Sequence, residues 1–372
     1  MPPKPPPKLN IPPGTTTVTV SAIDSTLWLS GVPTEYFYDP PIPGFGRVRT
    51  GCWSLLIEHP SGRKLVYDLG MRKDWWNCAP AVGIKEYLAN GTLESLDVKK
   101  NVSEILSEGG VDLGSVEGVI WSHFHFDHTG DVSTFPGSTK LIMGEGGKEA
   151  FMPGYPTDPE AQTLDSDFEG REVVEVDFRN ADLKIGGFRA YDYFGDGSFY
   201  LLDSPGHTIA HVNALARTKV DAPEYVHMCG DSAHHCGEIR PTMYMPLPEN
   251  IDPSPLPHIH AGPCPGGLFS KLLRNGSRED HVLELIDPGA GTYKKQKYAL
   301  IYDNEKLKET VREVEGFDAN EDVLTVLAHD WTLKGIIDEW PKHLNGWSEK
   351  KWKKESRWKF LEDFRHAVAD GS

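Results

Sequence analysis

The chain is poor in cysteine, in basic residues and in long apolar runs. Its five cysteines are an odd number without regular spacing, which argues against a disulfide framework and favours free thiols in a reducing compartment. Lysine and arginine number 38 against 55 acidic residues, and the formal net charge of −17 repels a nucleic-acid backbone. No segment reaches the roughly 18 to 20 consecutive apolar residues of a membrane span, and the N-terminus lacks the apolar core of a signal peptide. We therefore expect a cytoplasmic protein that binds neither nucleic acid nor a membrane.

The apolar content of 38% is enough for a substantial core. Residues 1–14 are rich in proline and are predicted to form an extended N-terminal arm, with a disordered tail as the alternative. Residues 15–372 contain no internal repeat and are predicted to form a single domain. Strands are predicted at residues 15–23, 52–60, 64–70, 116–122, 139–144, 171–178, 188–194, 198–206, 224–231 and 323–330. Helices are predicted at residues 97–108, 304–315 and 349–369.

A proline-rich insertion at about residues 232–265 is predicted to wall a substrate pocket. Its Met243, Tyr244 and His258 indicate an apolar or aromatic substrate, and Trp75 is a candidate for the opposite wall. The alternative for the insertion is a surface loop packed on its own domain, and the alternative for Trp75 is a place in the core.

The Trp-rich C-terminal helix predicted at residues 349–369 has interleaved lysines. This pattern is compatible with nucleic-acid or membrane binding, but we favour an aromatic face that packs on its own domain.

The segment 122–130, SHFHFDHTG, carries four strong metal ligands where a predicted strand ends. His123, His125 and Asp127 alternate along the chain, so their side chains are expected on one side, and His128 turns toward a second position. Three imidazoles and a carboxylate in six residues are typical of a site for a divalent ion such as zinc.

This HxHxDH motif at the end of a strand resembles the signature of the metallo-β-lactamase superfamily. Further elements of that family occur in the expected order: Asp68 in VYDLG, His207 in SPGHT, Asp231 in MCGDS and His329 in VLAHD. The resemblance implies an αββα sandwich, with two mixed β-sheets flanked by helices. It also implies two metal sites, one built by His123, His125 and His207 and the other by Asp127, His128 and His329, with Asp231 shared between them.

The resemblance implies two divalent metal ions, for which we expect zinc, with manganese or iron as alternatives. Such a pair holds a bridging hydroxide and polarises a carbonyl group. Asp127 is the predicted catalytic residue that orients the hydroxide and carries a proton to the leaving group. Asp68 is predicted to support a ligand rather than to contact metal.

We predict a hydrolase that opens a lactone or lactam of a small apolar or aromatic metabolite or xenobiotic. The alternative is an acyl thioesterase, and a phosphodiesterase or nuclease is less favoured. The pattern is most similar to lactonases and to fungal lactamase-like hydrolases, the latter through GDSAHHCGE and PLP. Lactonases place a tyrosine three residues after the bridging aspartate, where this chain has His234, and we predict that His234 contacts substrate rather than metal. The expected partner is a small-molecule substrate, and self-association is left open.

Overall fold

The computed structural model describes residues 3–258, 262–285 and 298–369. Its strands are β1 (Thr19–Asp24), β2 (Leu27–Pro33), β3 (Tyr38–Asp39), β4 (Arg47–Thr50), β5 (Trp53–Glu58), β6 (Lys64–Tyr67), β7 (Ser95–Val98), β8 (Val116–Ile120), β9 (Lys140–Met143), β10 (Val173–Glu175), β11 (Lys184–Ile185), β12 (Phe188–Asp192), β13 (Phe199–Asp203), β14 (Val212–Lys219), β15 (Glu224–Met228), β16 (Asn250–Ile251), β17 (Cys264–Pro265), β18 (Glu284–Leu285) and β19 (Val323–Val326). Its α-helices are α1 (Ile84–Ala89), α2 (Val102–Glu108), α3 (Phe126–Thr129), α4 (Gly147–Phe151), α5 (Asp165–Phe168), α6 (Asn304–Ala319), α7 (Trp352–Ser356) and α8 (Arg365–Ala369). Short 3₁₀ helices lie at Thr34–Tyr36, Trp75–Asn77, Pro80–Val82, Leu113–Ser115, Val132–Thr134, Cys236–Glu238, Gly266–Leu272, Arg274–Gly276, Trp331–Leu333 and Lys359–Phe364.

Two six-stranded sheets form the centre of the fold. The first has the order β1-β5-β6-β8-β9-β10, and its last three neighbouring pairs are parallel. The second has the order β11-β12-β13-β14-β15-β19, and β15 pairs in parallel with β19. The strands predicted at residues 52–60 and 64–70 form a hairpin, since β5 and β6 pair in antiparallel register with Leu56 opposite Val66.

The sheets pack face to face over a buried apolar core, and helices cover their outer faces. Trp53 and Tyr67 of the first sheet share this core with Leu201 and Val226 of the second. Helix α2 covers the outside of the first sheet, and α6 covers the outside of the second. Strands buried on both faces are apolar at nearly every position, which is why β5 reads WSLLI before its final Glu. The predicted αββα sandwich is therefore confirmed.

The single C-terminal helix predicted at residues 349–369 is wrong. The segment forms α7, a 3₁₀ helix and α8 in succession. Trp352 packs in the core between the sheets, whereas Trp358, Phe360 and Phe364 pack on the outer face of the second sheet. A straight helix does not direct these side chains to two different layers, so the chain breaks between them.

The two proline-rich segments both pack against the domain. Residues 3–14 have neither helix nor strand, yet Leu9 is buried and its carbonyl accepts a hydrogen bond from the Gly186 amide at 2.7 Å. The insertion at 232–265 contributes Ile239, Met245 and other buried side chains to the outer core of the second sheet. His260, which shares the insertion with His258, lies outside the described residues. No helix in the described ranges is long and apolar enough to cross a membrane.

Candidate metal centre

Five strand ends converge at one edge of the sandwich. The segments after β6, β8, β13, β15 and β19 bring their polar side chains together, although as many as 261 residues separate Asp68 from His329 in the chain. Two groups of side chains there have ligand atoms close enough to share an ion: His123, His125, His207 and Asp231 in the first, and Asp127, His128 and His329 in the second.

The first group has the dimensions of a tetrahedral metal site. The distance from His125 Nδ1 is 3.0 Å to His123 Nε2 and 3.0 Å to His207 Nε2, and the latter two atoms lie 3.3 Å apart. Asp231 Oδ2 lies 3.7 Å from His123 Nε2 and 3.6 Å from His207 Nε2. Ligands at about 2.0–2.1 Å from a tetrahedral ion are separated by roughly 3.3 Å. These four residues therefore fit a divalent ion.

The second group is more open and shares Asp231 with the first. Asp127 Oδ2 lies 3.4 Å from His329 Nε2, and Asp127 Oδ1 lies 3.9 Å from His128 Nε2. Asp231 Oδ2 lies 3.2 Å from His128 Nε2, and Asp231 Oδ1 lies 3.5 Å from His329 Nε2. The two Asp231 oxygens thus reach both groups, as a bridging carboxylate must.

The protonation of the buried histidines differs between the two groups. Burial lowers the pKa of His123 and His207 well below the ordinary value and that of His125 to about 4, so these imidazoles are neutral and keep a lone pair for a metal. Burial also lowers the pKa of His128 and His329, but the charge of Asp231 outweighs it and raises the pKa of His329 to about 10. The extra protons on His128 and His329 offset the negative charge of Asp231, and a metal cation in this group would replace them.

Hydrogen bonds from surrounding residues orient the ligand nitrogens. Asp68 Oδ2 accepts a hydrogen bond from His128 Nδ1 at 2.9 Å, which leaves Nε2 facing the group, where it is buried without a hydrogen-bond partner in the described residues. His329 Nδ1 donates to the Gly51 carbonyl at 2.9 Å, which leaves its Nε2 facing Asp127 and Asp231. Asp68 does not belong to either ligand group, and its supporting role stays a prediction.

His211 is a buried histidine of this centre that sequence reasoning missed. Its Nε2 accepts a hydrogen bond from the Asp231 amide at 3.1 Å, and its Nδ1 donates to the Ser204 carbonyl at 3.1 Å. It thereby holds the backbone of the shared carboxylate. Its place four residues after His207 was the only signal in the chain, and that spacing does not distinguish a supporting residue from a ligand.

A cavity of about 480 Å³ opens beside the second group. Its walls come from 44–50, 234–236, 329–334 and 359–366, with His234 and His329 on the side of the metal centre. His234 Nε2 lies 3.2 Å from Asp231 Oδ2, whereas His234 Nδ1 is buried without a hydrogen-bond partner among the described residues.

The four side chains predicted to line a substrate pocket lie elsewhere. Tyr244 packs against the outer core of the second sheet, and Met243 is 40% exposed. Trp75 contacts Trp76 and a separate apolar cluster, and His258 is exposed. None of the four is among the residues that line the 480 Å³ cavity, so their pocket role stays a prediction. Of the described residues of the insertion, only those at 234–236 line that cavity, whereas others such as Ile239 and Met245 pack in the outer core of the second sheet.

Comparison with known proteins agrees with this geometry. A family model described as the metallo-beta-lactamase superfamily matches residues 47–213, which include Asp68, the HxHxDH motif and His207. The chain is 42% identical to the gamma-lactamase FDB1 of Fusarium pseudograminearum over 366 residues, covering 96% of this chain and 85% of that protein. It is 41% identical to the metallo-hydrolase mfmC of Annulohypoxylon moriforme over 368 residues, covering 98% of this chain and 92% of that protein.

The fold is also found in a solved structure. An N-acyl homoserine lactone hydrolase with its product bound at the catalytic metal centre superimposes with a TM-score of 0.54 at 15% identity, covering 88% of this chain and all of that one. At this identity the likeness concerns the fold alone. Together with the fungal relatives and the matched family model, the convergence of the ligand groups leads to one conclusion: the chain belongs to the metallo-β-lactamase superfamily.

Proposed function

We propose that this protein is a metal-dependent hydrolase that opens the ring of a lactone or lactam. The observation that carries the proposal is the pair of ligand groups that share Asp231 and border a cavity large enough for a small cyclic substrate. Its fungal relative of 42% identity is named a gamma-lactamase, and its structural neighbour is named a lactone hydrolase. Both names describe ring opening by attack on a carbonyl carbon.

The proposed metal ligands are the seven side chains expected from the sequence: His123, His125, Asp127, His128, His207, Asp231 and His329. Divalent ions bound there would polarise the substrate carbonyl and lower the pKa of water. We propose zinc because imidazole and carboxylate ligands at tetrahedral spacing suit that ion. Asp68 and His211 keep two of these ligands, His128 and Asp231, in a fixed orientation through their hydrogen bonds.

Asp127 is the proposed proton carrier. Burial raises its pKa, but the charges of His128 and His329 outweigh burial and lower the pKa to about 2, so the side chain is an ionised carboxylate at neutral pH. Its side chain is 14% exposed and thus reaches the open side of the centre. It can accept a proton from attacking water and release it to the ring oxygen or nitrogen that leaves.

His234 is the proposed substrate contact. It lines the cavity, and Glu238 accepts hydrogen bonds from the amides of His234 and His235 at 2.8 Å each, which holds this turn in place. The ring of His234 borders the cavity, and its Nδ1 atom has no hydrogen-bond partner among the described residues that would hold the ring away from a substrate. Because such a contact serves binding and not metal retention, its loss should affect kinetics alone.

The proposed location and partners follow from simpler properties. The five cysteines are all free, which supports a cytoplasmic location. A small molecule fits the cavity, and we propose no nucleic-acid partner for a chain with a net charge of −17.

The test is a hydrolysis panel with the zinc-loaded protein. 2-Coumaranone and oxindole are a benzo-fused γ-lactone and γ-lactam that differ only in the ring O or N–H, and ring opening of each is followed by liquid chromatography. We expect turnover of at least one, and its loss in Asp127→Asn, whose metal content is measured alongside because Asp127 is also a proposed ligand. An acyl thioester and bis-nitrophenyl phosphate are included, since cleavage of either without ring opening would contradict the proposal. Asp177→Asn, an exposed carboxylate remote from the centre, is the matched control.

A further inference from the structure

The C-terminal segment forms the wall of the cavity that lies opposite the metal centre. Residues 359–366 line this wall together with the loop that contains Gly44. Gly44 has a φ of +78°, and a Cβ atom there would lie 2.4 Å from His366 Cβ. Only glycine allows the two segments to approach this closely. The C-terminal segment and the loop therefore form a continuous surface.

Buried polar contacts anchor this C-terminal segment to the rest of the domain. Lys353 is buried and donates to the carbonyl oxygens of Asp318 at 2.7 Å and Val323 at 2.6 Å. Arg240 donates to the Arg357 carbonyl at 2.7 Å. Such contacts are costly to break because they leave charged groups unpaired in the interior. The wall is thus a fixed part of the pocket.

A second anchor ties the wall to the turn beside the metal centre. His235 Nδ1 accepts a hydrogen bond from the Gly237 amide at 2.9 Å, so its Nε2 carries the hydrogen and donates to Asp363 Oδ2 at 3.2 Å. The same ring packs on Phe45 and Phe364. This contact joins the wall to the turn that contains His234.

Basic groups outnumber acidic groups in the cavity, in contrast to the chain as a whole. Five lysine or arginine side chains line it, against three carboxylates: Arg47, Arg49, Lys334, Lys359 and Arg365 against Asp330, Glu362 and Asp363. The carboxylates are all engaged, Asp330 with Thr332, Glu362 with Lys359 and Asp363 with His235.

Arg365 differs from the other four basic residues. Arg47 and Arg49 contact Glu94, Lys334 contacts Asp24 and Glu339, and Lys359 contacts Glu362. Arg365 is exposed and makes no ion pair or side-chain hydrogen bond with any residue in the described ranges. Its guanidinium group is available to a carboxylate of a ligand.

Aromatic rings provide a further part of the cavity surface. Trp331 and Phe45 line it, and Phe45 stacks on Tyr38 with ring centroids 5.9 Å apart. Flat apolar surfaces of this kind favour a planar ring. A volume of about 480 Å³ also allows a bicyclic substrate with a substituent.

We propose that Arg365 binds an anionic group of the substrate, so that the enzyme prefers an aromatic lactone or lactam with a carboxylate remote from the bond that is cleaved. This inference rests on the proposed function and names the substrate class of the same site. With a net charge of −17 the protein as a whole repels anions, and the preference must therefore arise from this local contact.

The experiment compares 2-coumaranone with its 5-carboxylate as substrates of the zinc-loaded full-length protein. We expect kcat/KM to be about three- to tenfold higher for the carboxylate, the range of a partly exposed arginine contact. Arg365→Gln should abolish this ratio, Arg365→Glu should invert it and Arg365→Lys should restore most of it. Arg312→Gln is the matched control, because Arg312 is an exposed arginine on α6 outside the cavity lining.

The outcomes separate this inference from the proposed function. Equal kcat/KM for the two probes, or a ratio that Arg365→Gln leaves unchanged, overturns the role of Arg365 while ring opening itself remains established. If neither probe nor oxindole is hydrolysed, the proposed function is overturned, and the inference with it. Circular dichroism and metal content of each variant show whether a lost ratio comes from unfolding, and Arg365→Lys provides the readout if Arg365→Gln does not fold.

Discussion

Asp68 accepts hydrogen bonds from three groups, and replacing it with asparagine should weaken metal binding. Its Oδ1 accepts from the Ser122 amide at 2.6 Å, and its Oδ2 accepts from Ser122 Oγ at 2.7 Å and from His128 Nδ1 at 2.9 Å. An amide group in place of the carboxylate presents one NH₂ to these donors in either orientation. The variant therefore places a donor against a donor at a fully buried position.

The magnitude follows from that conflict. A buried polar group left without a partner costs about 1–3 kcal/mol. Relief by moving the hydrogen of His128 from Nδ1 to Nε2 removes the lone pair that a metal needs. Loss of such a supporting carboxylate typically lowers metal affinity by about 10- to 100-fold, or roughly 1.4–2.7 kcal/mol.

The assay is a competitive zinc titration against a chromophoric chelator, with elemental analysis after dialysis. We expect the site that contains His128 to weaken by this factor. Asp167→Asn is the control, because Asp167 is also buried but accepts only from the Leu164 amide in the described contacts. Wild-type affinity at both sites of Asp68→Asn would refute the argument that this carboxylate orients a ligand.

Three further variants test separate parts of the structure. Asp231→Ala should lower the metal content from about two equivalents per chain to less than one, measured by elemental analysis, because its oxygens reach both ligand groups. His234→Ala should raise KM or lower kcat at wild-type metal content; loss of metal instead would show that His234 is a ligand. Asp318→Asn should destabilise the protein by about 3–5 kcal/mol in chemical unfolding at pH 7, since it leaves Arg240 as an unpaired buried charge. Burial raises the pKa of Asp318, but Arg240 outweighs burial and lowers the pKa to about 2. The carboxylate therefore stabilises the fold above its unfolded pKa of about 3.9, and this stabilisation is lost as the pH falls toward 2. If the variant were as sensitive to acid as the wild type over that range, this role of Asp318 would be contradicted.

Much of the fold was predictable because its signals are local. The run from Trp53 to Glu58 and the one from Lys64 to Tyr67 are short, apolar and separated by a turn, and both are strands. Helix α6 has its apolar residues at helical spacing and an N-cap at Asp303, whose side chain accepts from the Lys306 amide. The same reasoning was wrong for the C-terminal segment, because the helical spacing of Trp358, Leu361 and Phe364 does not reveal that Trp352 enters a different apolar layer.

The ligand groups were predictable from the chain for a related reason. Their residues follow strands, and the family order of motifs assigns them to two groups without any coordinates. His211 gave no such signal, since its task is a hydrogen bond to a backbone amide 20 residues away in the chain.

The substrate side of the centre depends on contacts between distant segments. The residues that line the cavity are Tyr38 and members of four stretches between Gly44 and His366, and no periodicity in the chain relates them. The proline-rich insertion begins beside Asp231 and was therefore predicted to wall the substrate pocket. Most of its described apolar side chains are instead buried in the outer core of the second sheet. Short motifs in the sequence thus determine the candidate ligands, because metal chemistry restricts which residue types can serve. Packing determines the shape and charge of the pocket, because it decides which of many candidate residues line the cavity beside the metal centre.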